Sequence, residues 1–222
     1  ISSSTLTDSE AHCLYAQGES NSVNIVDVTL RRCGGDGAYL RSTTVAINGL
    51  EISEIQGKGI HLTDVSGSLN GLNASIESGE SALVMDYLSS GFTSSNLSLN
   101  SPGAPAISGN FNDDFVIDGA IISSIPGIDM DDSSGAISNV IINGNGSGTG
   151  ITMHHSARES MVLENITISQ VSVGISLHDD GDWQDSTTLE LRASQITAQT
   201  VISSDSYPVN VHQSSLVGNL DV

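Results

Sequence analysis

Asp131, His154 and His178 recur at intervals of 23 and 24 residues. Each carries a group able to exchange a proton or to bind a divalent cation near neutral pH. Asp129 stands two residues before Asp131, and Asp132, His155 and Asp179 each lie one residue beyond the three. Half of the six histidines of the chain therefore gather here. If one structural period separates them, these groups lie about 5 Å apart on neighbouring layers. Two chemistries suit such a set. Asp131, His154 and His178 could act as catalytic acid, base or both, while Asp129, Asp131, His154, His178 and Asp179 could ligate Ca²⁺ or Zn²⁺. A solvated polar face on an acidic protein would use the same residues and bind nothing.

The segment that follows, His178-Asp179-Asp180-Gly181-Asp182-Trp183-Gln184-Asp185, is an extension of the pattern and holds the single tryptophan. Trp183 could stack on a sugar ring or cover a widened layer. The aspartates do not follow the spacing of a helix-loop-helix Ca²⁺ loop, and neither does Asp129-Met130-Asp131-Asp132-Ser133. Nearer the start, Tyr15, Tyr39 and His61 repeat with the same spacing, beside Gln17 and Arg41. Aromatic rings with planar polar neighbours suit a neutral sugar, so Tyr15, Tyr39, Arg41, His61 and Trp183 form a candidate glycan-binding set. A ladder of rings that only stabilises a sheet face is the alternative. Gly34-Gly35-Asp36-Gly37 looks like one Ca²⁺-binding nonapeptide, but one copy cannot build that stacked site.

These spacings come from a phrase repeated every 22 to 26 residues: a small residue, then apolar, variable, apolar, then a polar turn. Gly37-Ala38-Tyr39-Leu40, Gly59-Ile60-His61-Leu62, Gly127-Ile128-Asp129-Met130, Gly150-Ile151-Thr152-Met153 and Gly174-Ile175-Ser176-Leu177 are its clearest copies. A period of this length means stacked units, each burying its apolar face against the next. Coils align from Ile1, Ile25 and Ile47, with further starts at Leu69, Phe92, Phe115, Ile137, Val162, Leu189 and Val209. Asn48-Gly49, Asn70-Gly71 and Asp118-Gly119 mark sharp corners between short strands. Alternation sends the variable residue outward, producing two surface columns. The first runs Tyr15, Tyr39, His61, Val84, Ser108, Asp129, Thr152, Ser176, and the second Gln17, Arg41, Thr63, Asp86, Asn110, Asp131, His154, His178. Thr7-Asp8-Ser9-Glu10 satisfies the rule for a helix start, but the gapless match of this stretch to a strand coil overrides it.

The expected fold is all-β: a single-stranded parallel β-helix of about nine coils, 22–26 residues each, running through residues 1–222 as one domain of a larger protein. Asn48-Gly49-Leu50-Glu51-Ile52 with Gly59-Ile60-His61-Leu62, and Asn165-Ile166-Thr167-Ile168 with Gly174-Ile175-Ser176-Leu177, resemble the right-handed parallel β-helix of the pectin-lyase-like superfamily. The resemblance covers nearly the whole chain and is specific for fold. It implies that the outward strand face is the substrate groove, but that superfamily spans lyases, hydrolases, epimerases, phage adhesins and surface proteins.

Six Lys plus Arg against 26 Asp plus Glu give a net charge of −20, which repels nucleic acid and anionic membranes. The same charge disfavours a strongly anionic glycan unless Ca²⁺ bridges it. No run of 18 apolar residues is present, so no membrane insertion is expected. Cys13 and Cys33 occupy different points of the repeat, with Cys33 in an apolar column, leaving a disulfide and two buried thiols both open. No capping helix is visible, so neighbouring domains or self-association are expected to cover the ends. The reading favoured by these residues is an exported or cell-surface module, structural or in contact with a polysaccharide or surface glycan. A polysaccharide lyase or hydrolase working on the strand face is the first alternative, and an oligomeric adhesin fragment the second. Against the enzyme, Arg41, Lys58 and Arg158 are too scattered to neutralise a uronate chain.

Overall fold

A computed structural model describes residues 1–19, 21–89, 91–154, 161–178, 188–205 and 208–221. Among these, eighteen strands and no helix are found, and each strand pairs in parallel with its equivalent one coil on, giving a solenoid of about nine turns. The helix rule at Thr7 thus loses to the strand Ser2–Ser9, which pairs with Ser22–Cys33.

Interior columns follow from the phrase. Ile25 aligns with Ile47 and Leu69; Leu40 with Leu62 and Met85; Ile128 with Ile151 and Ile175. All of them are buried. Each such Leu or Ile contributes about 1.5–3 kcal/mol through loss of contact with water. Some expected coil starts shift. Leu69 pairs with Ser94, Ser94 with Ile117, and Ile117 with Ile137. Phe92 and Phe115 therefore sit two positions ahead of the column assigned to them. The inward place is taken by Ser94, whose hydroxyl donates to the Val116 carbonyl instead of packing as a hydrocarbon. Likewise Ile137 pairs with Leu163 and Leu163 with Leu191, one residue past Val162 and two past Leu189. The phrase columns are unaffected.

The small residue that opens the phrase has a steric cause. A Cβ on Gly37 would come within 2.6 Å of the Gly59 carbonyl oxygen, and one on Gly59 or Gly127 would collide with the backbone of Ala82 or Gly150. Successive coils approach too closely here for a side chain. The opposite demand is met at a corner where Asp27, Gly49, Gly71, Asn96, Gly119, Asn139 and Asn165 align, all with positive φ. Gly, Asn and Asp enter this conformation most readily. Amides stack along it: Asn70 Nδ2 donates to Asn48 Oδ1 at 2.8 Å, Asn96 Nδ2 to Asn70 Oδ1 at 2.7 Å, and Asn165 Nδ2 to Asn139 Oδ1 at 2.6 Å.

Cys13 and Cys33 form a disulfide, with Cα atoms 5.5 Å apart, which resolves the two alternatives left open by the sequence. Cys33 is buried as its column requires, and Cys13 reaches it from just ahead of the strand Leu14–Gln17. The bond ties the end of Ser22–Cys33 to the coil beneath it.

Candidate functional site

Both outward columns form as the spacing predicts. Tyr15 aligns with Tyr39, Tyr39 with His61, His61 with Val84, and Val84 with Ser108; Ser108 aligns with Asp129, Asp129 with Thr152, and Thr152 with Ser176. In the second column Gln17, Arg41, Thr63, Asp86, Asn110, Asp131, His154 and His178 follow one another without a break. Trp183, Asp179 and His155 lie outside the described residues.

Asp131, His154 and His178 are thus brought onto adjacent coils, but they stand in line. The two imidazoles stack with centroids 5.0 Å apart and planes 17° from parallel. His154 Nε2 faces Asp129 Oδ1 at 3.4 Å, so the two rings serve different partners. His178 is further engaged by Ser176 Oγ at 2.9 Å on Nε2 and by Asp205 Oδ2 at 3.3 Å from Nδ1. Among the described residues no three His, Cys, Asp or Glu side chains converge as a metal ion requires. Of the residues expected to ligate, Asp129, Asp131, His154 and His178 therefore line a wall without forming a cage.

Among the described residues Asn110 and Asp129 each bury an Oδ1 without a hydrogen-bond partner, and Asp129 is the titratable one of the two. Its Oδ1 lies 3.4 Å from His154 Nε2. Burial, reinforced by the Asp131 charge and opposed by His154 and His178, raises the Asp129 pKa above the usual carboxylate value. It borders an open groove of about 570 Å³ whose walls include Lys58, Glu80, Asp86, Asn110, Asp131 and His154.

At the other end of the columns the rings of Tyr15 and Tyr39 stack with centroids 5.6 Å apart, and His61 meets Tyr39 edge-on at 4.8 Å. The Tyr15 hydroxyl donates to Gln17 Oε1. Arg41 is exposed on the coil above, in register with Gln17. Two residues missed in the sequence complete this cluster. His12 stacks on both tyrosines, at 6.1 and 5.5 Å. It precedes the strand, outside any column, and periodicity could not place it. Asp36, in the glycine-rich stretch that resembled a Ca²⁺ nonapeptide, instead ties coils together: its Oδ1 accepts from the Lys58 amide at 2.9 Å, and its Oδ2 lies 3.7 Å from His12 Nδ1 and 3.6 Å from His61 Nδ1.

His61 is consequently held between two carboxylates, with its Nε2 3.0 Å from Asp86 Oδ2. Burial acts to lower its pKa, as does the nearby Lys58 charge, but Asp36 and Asp86 outweigh them and raise it. Burial acts to raise Asp36, and His61, the Lys58 amide and His12 outweigh it and lower it. The stabilisation from His61 is thus complete below its ordinary pKa of 6.5 and fades as pH rises through the raised value. That from Asp36 is present above 3.8 and fades as pH falls through the lowered value. Thermal stability is expected to decline from pH 6.5 upward by an amount that His61→Gln removes; melting curves from pH 5 to 9 with equal slopes in both proteins would refute this.

A further pair was legible only in hindsight. Tyr87 and Phe111 follow Asp86 and Asn110 at the corner column that also holds Ser42, Asp64 and Asp132, all with positive φ. The two rings stack at 5.2 Å with planes 14° apart, and the residues are 55% and 46% exposed. A left-handed backbone costs a residue with a Cβ roughly 1 kcal/mol. Both residues stand one position past Asp86 and Asn110 of the second column, and this aromatic match at one spacing is the signal the sequence offers.

The parallel pairing, the repeated phrase and the amide-lined corner describe one architecture. The family described as "right handed beta helix region" matches residues 12–196, while no curated protein and no solved structure matches the chain significantly. With strands, columns and corners agreeing with that match over more than half of its length, the chain belongs to the right-handed β-helix family.

Proposed function

We propose that this β-helix module is exported and contacts a glycan along its outward strand face. The observation that carries the reading is the tier of His12, Tyr15 and Tyr39 rings, stacked on adjacent coils and flanked by Gln17, Arg41 and His61. Apolar ring faces bordered by planar hydrogen-bonding groups match the alternation of C–H and hydroxyl surfaces on a sugar. Export is supported by the Cys13–Cys33 bond, since disulfides persist in oxidising compartments.

Retention on an immobilised glycan array is the test. Tyr39→Ala is expected to reduce retention on the bound glycan at least about tenfold, the loss of one stacking surface. A ladder that only braces the sheet would instead lower the melting temperature and leave retention unchanged. A hydrolase or lyase acting on the same face draws on one specific observation, the raised pKa of Asp129 beside the groove, which suits a proton donor. Release of reducing ends from the retained glycan, absent in Asp129→Asn, distinguishes that activity from binding alone.

A further inference from the structure

The Tyr87–Phe111 corner makes two unfavourable choices at once. Neighbouring positions of the same column, Ser42, Asp64 and Asp132, are small or polar, as a left-handed corner prefers. Among the described residues of this column only Tyr87 and Phe111, on consecutive coils, carry aromatic rings, and both stay largely in water, 55% and 46% exposed. Large exposed rings in a disfavoured backbone conformation are not explained by packing. They form an apolar ridge two coils wide, held by their own stacking at 5.2 Å.

What lies beside the ridge defines its partner. Asp86 and Asn110, the residues directly before the two rings, face the groove, and Asp131 aligns with Asn110 on the next coil. The opposite wall comes from Lys58 and Glu80, which precede the strands Ile60–Ser75 and Leu83–Asp86. Glu80, Asp86, Asp129 and Asp131 line the groove, and the aromatic ridge stands one residue beyond its Asp86 and Asn110. Glu80, Asp86, Asp129 and Asp131 against Lys58 and His154, with Asp86 also paired to His61, leave the groove net acidic, complementary to a cation and hostile to a uronate. Carboxylates one or two coils apart pair with charges spaced along a polymer, and rings pack on C–H faces. A basic peptide would satisfy the charges but would leave the ridge without a flat apolar partner.

We propose that the Tyr87–Phe111 ridge and its adjoining acidic groove bind a glycan chain containing amino sugars, whose ammonium groups face Asp86, Asp129 and Asp131 while a neighbouring sugar ring packs on Tyr87 and Phe111. This rests on the glycan-contacting reading above and specifies its sugar. The Tyr39 tier takes neutral units, and the ridge and groove take the cationic ones.

Calorimetry on the whole chain at about pH 6, where an amino sugar carries its ammonium charge, tests it. A glucosamine hexamer is expected to bind at least about tenfold more tightly than its fully N-acetylated counterpart, and to weaken as salt rises from about 0.05 to 0.3 M. The double variant Tyr87→Asn with Phe111→Asn leaves every charge in place and suits the left-handed corner, so it folds. It should bind the hexamer at least about tenfold more weakly. Equal binding by that variant, or by hexalysine and the glucosamine hexamer, overturns the proposal, because charge alone would then suffice. Equal binding of the acetylated hexamer, or retention on the array that depends on Tyr39 alone, overturns it and leaves the glycan reading standing. Loss of the glycan reading itself requires that no sugar be retained by the unmodified chain.

Discussion

Replacing Phe115 by alanine is expected to destabilise the protein by about 3–5 kcal/mol, the cost of removing a buried ring and leaving its cavity behind. Phe115 is 0% exposed, and it aligns with Phe92, equally buried, on the preceding coil. On the following coil its partner is Gly135, where any Cβ would strike the Phe115 backbone. A frame this tight cannot collapse into the space. Phe115→Leu retains most of the volume and should cost about 1–2 kcal/mol. Urea denaturation followed by circular dichroism is the measurement, and an alanine variant with the midpoint of the unmodified protein would show that the ring is not in the core.

Loss of the Cys13–Cys33 bond has the second largest expected effect. The two cysteines are 20 residues apart, and closing a loop of that length stabilises by about 3 kcal/mol through the unfolded chain. In a solenoid each coil contacts only its neighbours, so the loss should stay local. With both cysteines changed to serine, amides of Leu14–Gln17 and their partners in Ala38–Ser53 should exchange with solvent faster, while those of Ile128–Asp131 and Thr149–His154 should not change. Uniform acceleration, or none, would contradict this view of how the chain is held.

Much of the fold was legible because two of its constraints act on single residues. The glycine of the phrase is dictated by the carbonyl of the next coil, and the Asn-Gly pairs by the sign of φ, so both leave marks at fixed spacing. Inward positions are dictated only by volume and polarity. Phe92 was therefore mistaken for an equivalent of Leu69, and Ser94, with its hydroxyl bonded to Val116, passed unseen. The outward columns were read correctly, because strand alternation fixes direction once the phrase is aligned. Convergence was not legible. The column containing His154 and His178 was right, yet the ring orientations, which stack the two imidazoles and direct them to different partners, depend on side-chain torsions that spacing does not encode. His12 and Asp36 escaped for a related reason: they work from the connections between strands, where no period holds.

The amide-lined corner has a consequence for how such a protein can change in length. Each left-handed position repeats the geometry of the one below it, as Gly49 and Gly71 do. A segment cut at two of these positions therefore begins and ends in the same orientation. Tandem duplication of such a segment, or its deletion, would rejoin the chain without a kink and leave every remaining ladder intact. Growth by gene-level copying of whole turns is thus open to this architecture in a way it is not to a closed barrel.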